Sequence, residues 1–152
     1  MSCNFYILRK LLLILLLLPS LSIAVSIKEY QDKNPNWYKS VEEAIYITNR
    51  CSGIIQVVGQ HQLVSGDAEI GEMYLFLGQE LARRSWLRAI NEGISLDKVK
   101  DITRYWMKTY AEIANANTDN YNNIFVNDFA DDYEFCDSLV ERMIERDTNK
   151  TP

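Results

Sequence analysis

The sequence predicts an all-α protein: a single four-helix, bundle-like domain that follows a cleaved signal peptide and is stapled by one disulfide. Three observations predict it. Apolar residues recur every three or four positions in four segments separated by caps and glycine- or asparagine-containing breaks, and no segment alternates with a period of two. The first residues read as an export signal. Cys51 and Cys136 each fall at the centre of an apolar stripe.

The chain opens MSCNFYILRKLLLILLLLPSLSIAVS, with Arg9 and Lys10 as a basic region, Leu11 to Leu18 as an apolar run and Pro19 as its break. Small residues at Ser22 and Ala24, or at Ala24 and Ser26, have signal-peptidase spacing. The run is shorter than the roughly 20 apolar residues that a membrane-spanning helix needs. Residues 1–24 are therefore expected to leave, taking Cys3 with them, and the protein to be periplasmic or secreted. A membrane contact is expected only if the signal peptide stays uncleaved. Removal takes two of the 16 basic residues and none of the 21 acids, so the net charge moves from −5 to −7. Such a balance argues against nucleic acid, whose phosphates require basic surface. The 128 residues left of 152 suffice for one domain with a core.

Residues 25–39 show no clean period and contain Asn34-Pro35, which predicts a leader strand or loop with Trp37 and Tyr38 docking on the core. The helical domain, 40–152, starts at the capping box Ser40-Val-Glu-Glu43. Val41, Ala44, Ile45, Thr48, Cys51, Ile55 and Val58 then share one helical face, and Gly59 and Gly66 bracket its end. Ser65 or Asp67 caps a second helix over 68–91, apolar around most of its circumference and so expected at the centre of the fold. Gly71, Gly78 and Ser85, beside Ala82 and Ala89, form a small-residue stripe that lets a neighbouring helix come close. Ser95 caps an amphipathic third helix over about 96–115, with Val99, Ile102, Trp106, Tyr110 and Ile113 inside and Lys100, Arg104 and Lys108 on the solvated side. A fourth helix, about 119–146, turns Tyr121, Phe125, Phe129, Tyr133, Cys136, Val140 and Met143 inward.

In an oxidising compartment, two cysteines facing the core on different helices predict a Cys51–Cys136 disulfide. Neither has the His or Cys neighbours a metal needs, and the acids around Cys136 oppose a reactive thiolate. No metal and no cofactor are expected. The stretch from Asn115 fails as a calcium loop, because Asn120 stands where glycine belongs and Val126 where the bidentate glutamate belongs. His61, the sole histidine, reads as a surface residue with no catalytic or metal-binding spacing around it.

One acid is out of place. Asp132 lies inside the apolar arc between Phe125 and Cys136, whereas Asp128, Asp131, Glu134 and Asp137 fall toward the polar side. Leu77, Leu81, Arg84 and Arg88 follow one line on the 68–91 helix, turning from leucine to arginine. An unpaired buried charge is very costly, so Asp132 is expected to meet Arg84 or Arg88 inside. Two functions follow. One is an exported binding protein of the inhibitor or immunity type that recognises another exported protein or peptide. The other is a small-ligand or anion-binding protein, or an enzyme, built on Arg84, Arg88 and Asp132. Trp37, Tyr38, Tyr46 and Tyr105 lie outside the inward stripes, and clustering of these rings on the surface would favour the first.

Overall fold

Ser26 accepts a hydrogen bond from the amide of Glu29, and that cap starts a short helix, α1 (Ile27–Lys33). A 3₁₀ turn follows at Trp37–Lys39, then α2 (Val41–Ser65), α3 (Ala68–Asn91), α4 (Leu96–Tyr121) and α5 (Asn127–Thr148). These elements belong to a computed structural model that describes residues 25–149. The expected signal peptide lies outside the described residues. Among those residues the protein is all-helical, and no helix is long and apolar enough to cross a membrane.

The leader is thus helical rather than a strand or loop. Ser26-Ile-Lys-Glu29 is itself a helix-start sequence, and Ile27 is buried. Trp37 packs on the core, edge-on to Phe135, but Tyr38 stays 59% exposed.

Ser40 caps α2 by accepting from the Glu43 amide. The helix runs past Gly59 and ends at Gly66, whose φ of 93° is left-handed backbone suited to glycine. This helix, not α3, is the central one. Ile47, Arg50 and Ile54 are buried along with Cys51, Ile55 and Val58, so α2 is enclosed by its neighbours on several sides. Alpha-3 instead lies at the periphery. Its stripe of Gly71, Gly78, Ala82, Ser85 and Ala89 is buried against α2, while Met73, Phe76, Leu87 and Ile90 are exposed.

Close approach explains that stripe. A Cβ added at Gly59 would sit 2.8 Å from the Leu75 amide nitrogen and 2.9 Å from the Gly71 carbonyl oxygen, both rigid backbone atoms of α3. Ser52 donates across the same seam to the Gly78 carbonyl at 2.8 Å.

The break near residue 120 also differs from expectation. Helix α4 continues through the asparagines to Tyr121, and α5 starts at Asn127 rather than near 119. The asparagines hold this turn. Asn122 takes a left-handed φ of 52°, Asn117 donates to the Ile124 carbonyl at 2.9 Å, and Asn123 accepts from the Phe125 amide.

Cys51 and Cys136 are bonded, with their Cα atoms 5.0 Å apart, and both are buried. The bridge joins α2 to α5 across a sequence separation of 85. In the chain-entropy account, a loop of this length stabilises by roughly 4–5 kcal/mol.

Gly59→Ala should force α2 and α3 apart and lower unfolding free energy by about 1–3 kcal/mol, the usual cost of overpacking. Gly66→Ala lies away from the seam but must hold φ near 93°, so it should lose about 1–2 kcal/mol through backbone strain alone. Urea denaturation of the two variants beside wild type checks both expectations.

Candidate functional site

Asp132 is 1% exposed and sits one turn before Cys136 on α5. Its partner is Arg50, not Arg84 or Arg88. The Arg50 Nη2 lies 2.5 Å from Asp132 Oδ2, and Arg50 Nε donates to the Tyr110 hydroxyl at 2.7 Å. Tyr110 in turn donates to Asp132 Oδ2 at 2.5 Å. The second carboxylate oxygen accepts the Ile27 backbone amide at 2.6 Å. One buried carboxylate therefore joins α1, α2, α4 and α5.

Aromatic faces complete the enclosure. The guanidinium of Arg50 lies 4.1 Å from the Trp106 ring centre and 5.7 Å from that of Tyr110, favourable cation–π geometry. Trp106 leaves its indole N–H buried and without a hydrogen bond among the described residues, so it is the ring face that serves the site. Burial opposes the Arg50 charge, but Tyr110 and Asp132 outweigh it and raise the arginine pKa. Burial pushes the Tyr110 phenol well above its usual value, which keeps it a neutral donor. The Arg50–Tyr110–Asp132 network is closed to solvent. It is a structural centre and leaves no reactive group open to a ligand.

A second buried network ties α2, α3 and α4. Asn49 donates to Ser85 at 2.5 Å, Thr103 donates to the Asn49 side-chain oxygen at 2.5 Å, and Trp86 donates to Thr103 at 3.3 Å.

Arg84 and Arg88 lie elsewhere, on the rim of a groove between α3 and α5 of about 180 Å³. Ile45, Leu81, Leu139 and Met143 line its apolar part, and α5 adds Arg142 and Arg146 to the two arginines from α3. Arg84 is paired, donating to Glu80 at 2.8 Å and to Asp147. Arg83 donates to the same Glu80 carboxylate, and these bonds hold the Glu80 carboxyl down at about 2. Arg88, Arg142 and Arg146 make no ion pair or hydrogen bond with an acid among the described residues.

On the opposite side of α3 a larger groove, about 610 Å³, is lined by Gln56, Arg83, Trp86, Lys100, Thr103 and Arg104. His61, on α2, is partly exposed at the edge of a groove also lined by Gln60, Val64 and Met107. Of the rings outside the expected stripes, Tyr46 packs between Tyr30 and Trp106, and Tyr105 stacks edge-on to Trp106 while 53% exposed. Tyr46 is an extension of the core, whereas Tyr105 and Tyr38 are exposed.

No protein-family model, curated protein or solved structure matches this chain.

Asp132→Ala should strand Arg50 in the interior and cost about 3–5 kcal/mol of stability, as breaking buried ion pairs does. Arg88→Ala, at an exposed position, should stay within about 0.5 kcal/mol of wild type. Equilibrium unfolding in urea measures both, and equal losses would remove Asp132 from its central role.

Proposed function

We propose that this is an exported binding protein, and that its groove between α3 and α5 receives an acidic segment of another exported protein. The observation that carries this reading is the set Arg88, Arg142 and Arg146, three guanidinium groups with no acidic partner among the described residues, beside an apolar floor. They gather on a chain whose net charge is −5. Arginine forks suit carboxylates, which they bind through two parallel hydrogen bonds.

Size favours a protein segment over a free metabolite. A volume of about 180 Å³ is below the roughly 300–1,000 Å³ of ordinary small-molecule sites. It fits an apolar side chain flanked by carboxylates. The alternative built on Arg84, Arg88 and Asp132 loses its third member, because Asp132 is committed to Arg50, Tyr110 and Ile27.

Export is supported by the basic and apolar segments before Pro19. Of the two cleavage positions, the one after Ala24 keeps Ser26, which caps α1. Cleavage after Ser26 would remove that cap and the carbonyl that accepts the Tyr30 amide.

The mature protein immobilised under oxidising conditions should retain one stoichiometric partner from its native exported fraction. Arg88→Glu combined with Arg142→Glu should weaken that binding at least tenfold, about 1.4 kcal/mol, and added salt should weaken the wild-type complex. Retention unaffected by either charge reversal or salt would contradict the reading.

A further inference from the structure

The outer face of α3 is apolar at both ends and charged in the middle. Met73 and Phe76 precede the charged centre and are 50% and 66% exposed; Leu87 and Ile90 follow it and are 47% and 54% exposed. Glu80 and Arg83 stand between them. At about 100° per residue, all six project toward one side of the helix. Exposed apolar groups scattered singly need no explanation, but here two exposed apolar pairs flank a charged centre on one face.

The stripe is complementary to itself when reversed. In an antiparallel pair of α3 helices related by a two-fold axis between Leu81 and Ala82, Met73 faces Ile90 of the second copy and Phe76 faces Leu87. Glu80 faces Arg83 in the same register. A two-fold contact of this kind uses the same patch on both chains, so every pairing occurs twice.

The charges of α3 are sorted in the same sense. Its acids, Glu69, Glu72 and Glu80, all precede its bases, Arg83, Arg84 and Arg88. In the antiparallel register the Glu80–Arg83 pairing is the one that sets acid against base on this face, since Arg84 and Arg88 turn toward the groove beside α5; the helix dipoles also oppose each other. A parallel arrangement would set like charges together. Arg83 donates to Glu80 of its own chain through Nε and Nη2, and its side chain remains 58% exposed, which leaves Nη1 to reach across the axis.

We propose that the exposed face of α3 pairs antiparallel with the same face of a second copy of this chain, forming a two-fold dimer centred between Leu81 and Ala82. The contact is one helix pair, at the small end of the range for specific interfaces. The dimer is therefore reversible and concentration-dependent. It is independent of the arginine groove: failure of an acidic partner to bind there does not alter it, and loss of the dimer does not empty that groove.

Sedimentation velocity of the oxidised mature protein, from micromolar to millimolar concentration, should show a monomer–dimer equilibrium. Phe76→Asp alone and Leu87→Lys alone should each raise the dissociation constant at least about tenfold. Mixed one to one, the two variants should form a heterodimer. The introduced carboxylate of one chain then faces the introduced ammonium of the other, while the remaining Phe76–Leu87 contact is native. Both positions are exposed, so melting temperature and helical content should match wild type; Phe76→Gln replaces Phe76→Asp if they do not. A wild-type protein that is monomeric at all concentrations overturns the proposal, whatever else binds the stripe. So does a dimer indifferent to both substitutions, or a mixture that fails to associate.

Discussion

The Arg50–Asp132 pair is the interaction on which the arrangement of helices depends. Two full charges have been taken out of water, a step whose cost is recovered only when geometry and further hydrogen bonds are favourable. Here the carboxylate accepts from Arg50, Tyr110 and the Ile27 amide, and the guanidinium lies against Trp106. Remove any one group and another is left buried and unsatisfied. The neighbouring Cys51–Cys136 bond fixes α2 against α5 at the same level, so the pair is held in register by a covalent constraint.

That centre also explains the leader helix. Seven residues are too few for a helix to be stable alone. Alpha-1 forms because Ser26 caps it, Ile27 is buried in the core, and Asp132 accepts the amide of Ile27, one of the otherwise unpartnered amides at a helix start. Tyr30 adds a ring contact with Tyr46 at 5.0 Å. With the interior closed in this way, the remaining chemistry lies outside, in the grooves flanking α3 and on its exposed face.

Much of the fold is legible in the sequence. The Ser40 and Ser95 caps, the small-residue stripe of α3 and the pairing of the two stripe-centred cysteines all follow from spacing and local chemistry, and each is present. The misplacement of Asp132 inside an apolar arc is legible too, since it is buried. Its partner is not, because periodicity marks one buried face on α2, whereas a central helix is enclosed on several and hides Arg50. A usable signal does exist: Arg50 precedes Cys51 and Asp132 lies one turn before Cys136, so the disulfide itself brings them together. Overall apolarity of α3 misleads in the opposite sense. Its small residues pack and its large ones face outward, and composition does not separate those two sides. The arginine groove is half visible, as Arg84 and Arg88; Arg142 and Arg146 join it only because α3 and α5 both pack on α2 and border the same groove.

The most direct measurement is native-state hydrogen exchange at the amide of Ile27. An ordinary first-turn amide exchanges rapidly, because no carbonyl within the helix accepts it. Here Asp132 accepts it in the interior, so Ile27 should be protected to nearly the level of core amides in α2 and should lose that protection in Asp132→Ala. Rapid exchange at Ile27 in the wild-type protein would mean that α1 is not fastened to the buried pair, and would contradict the account.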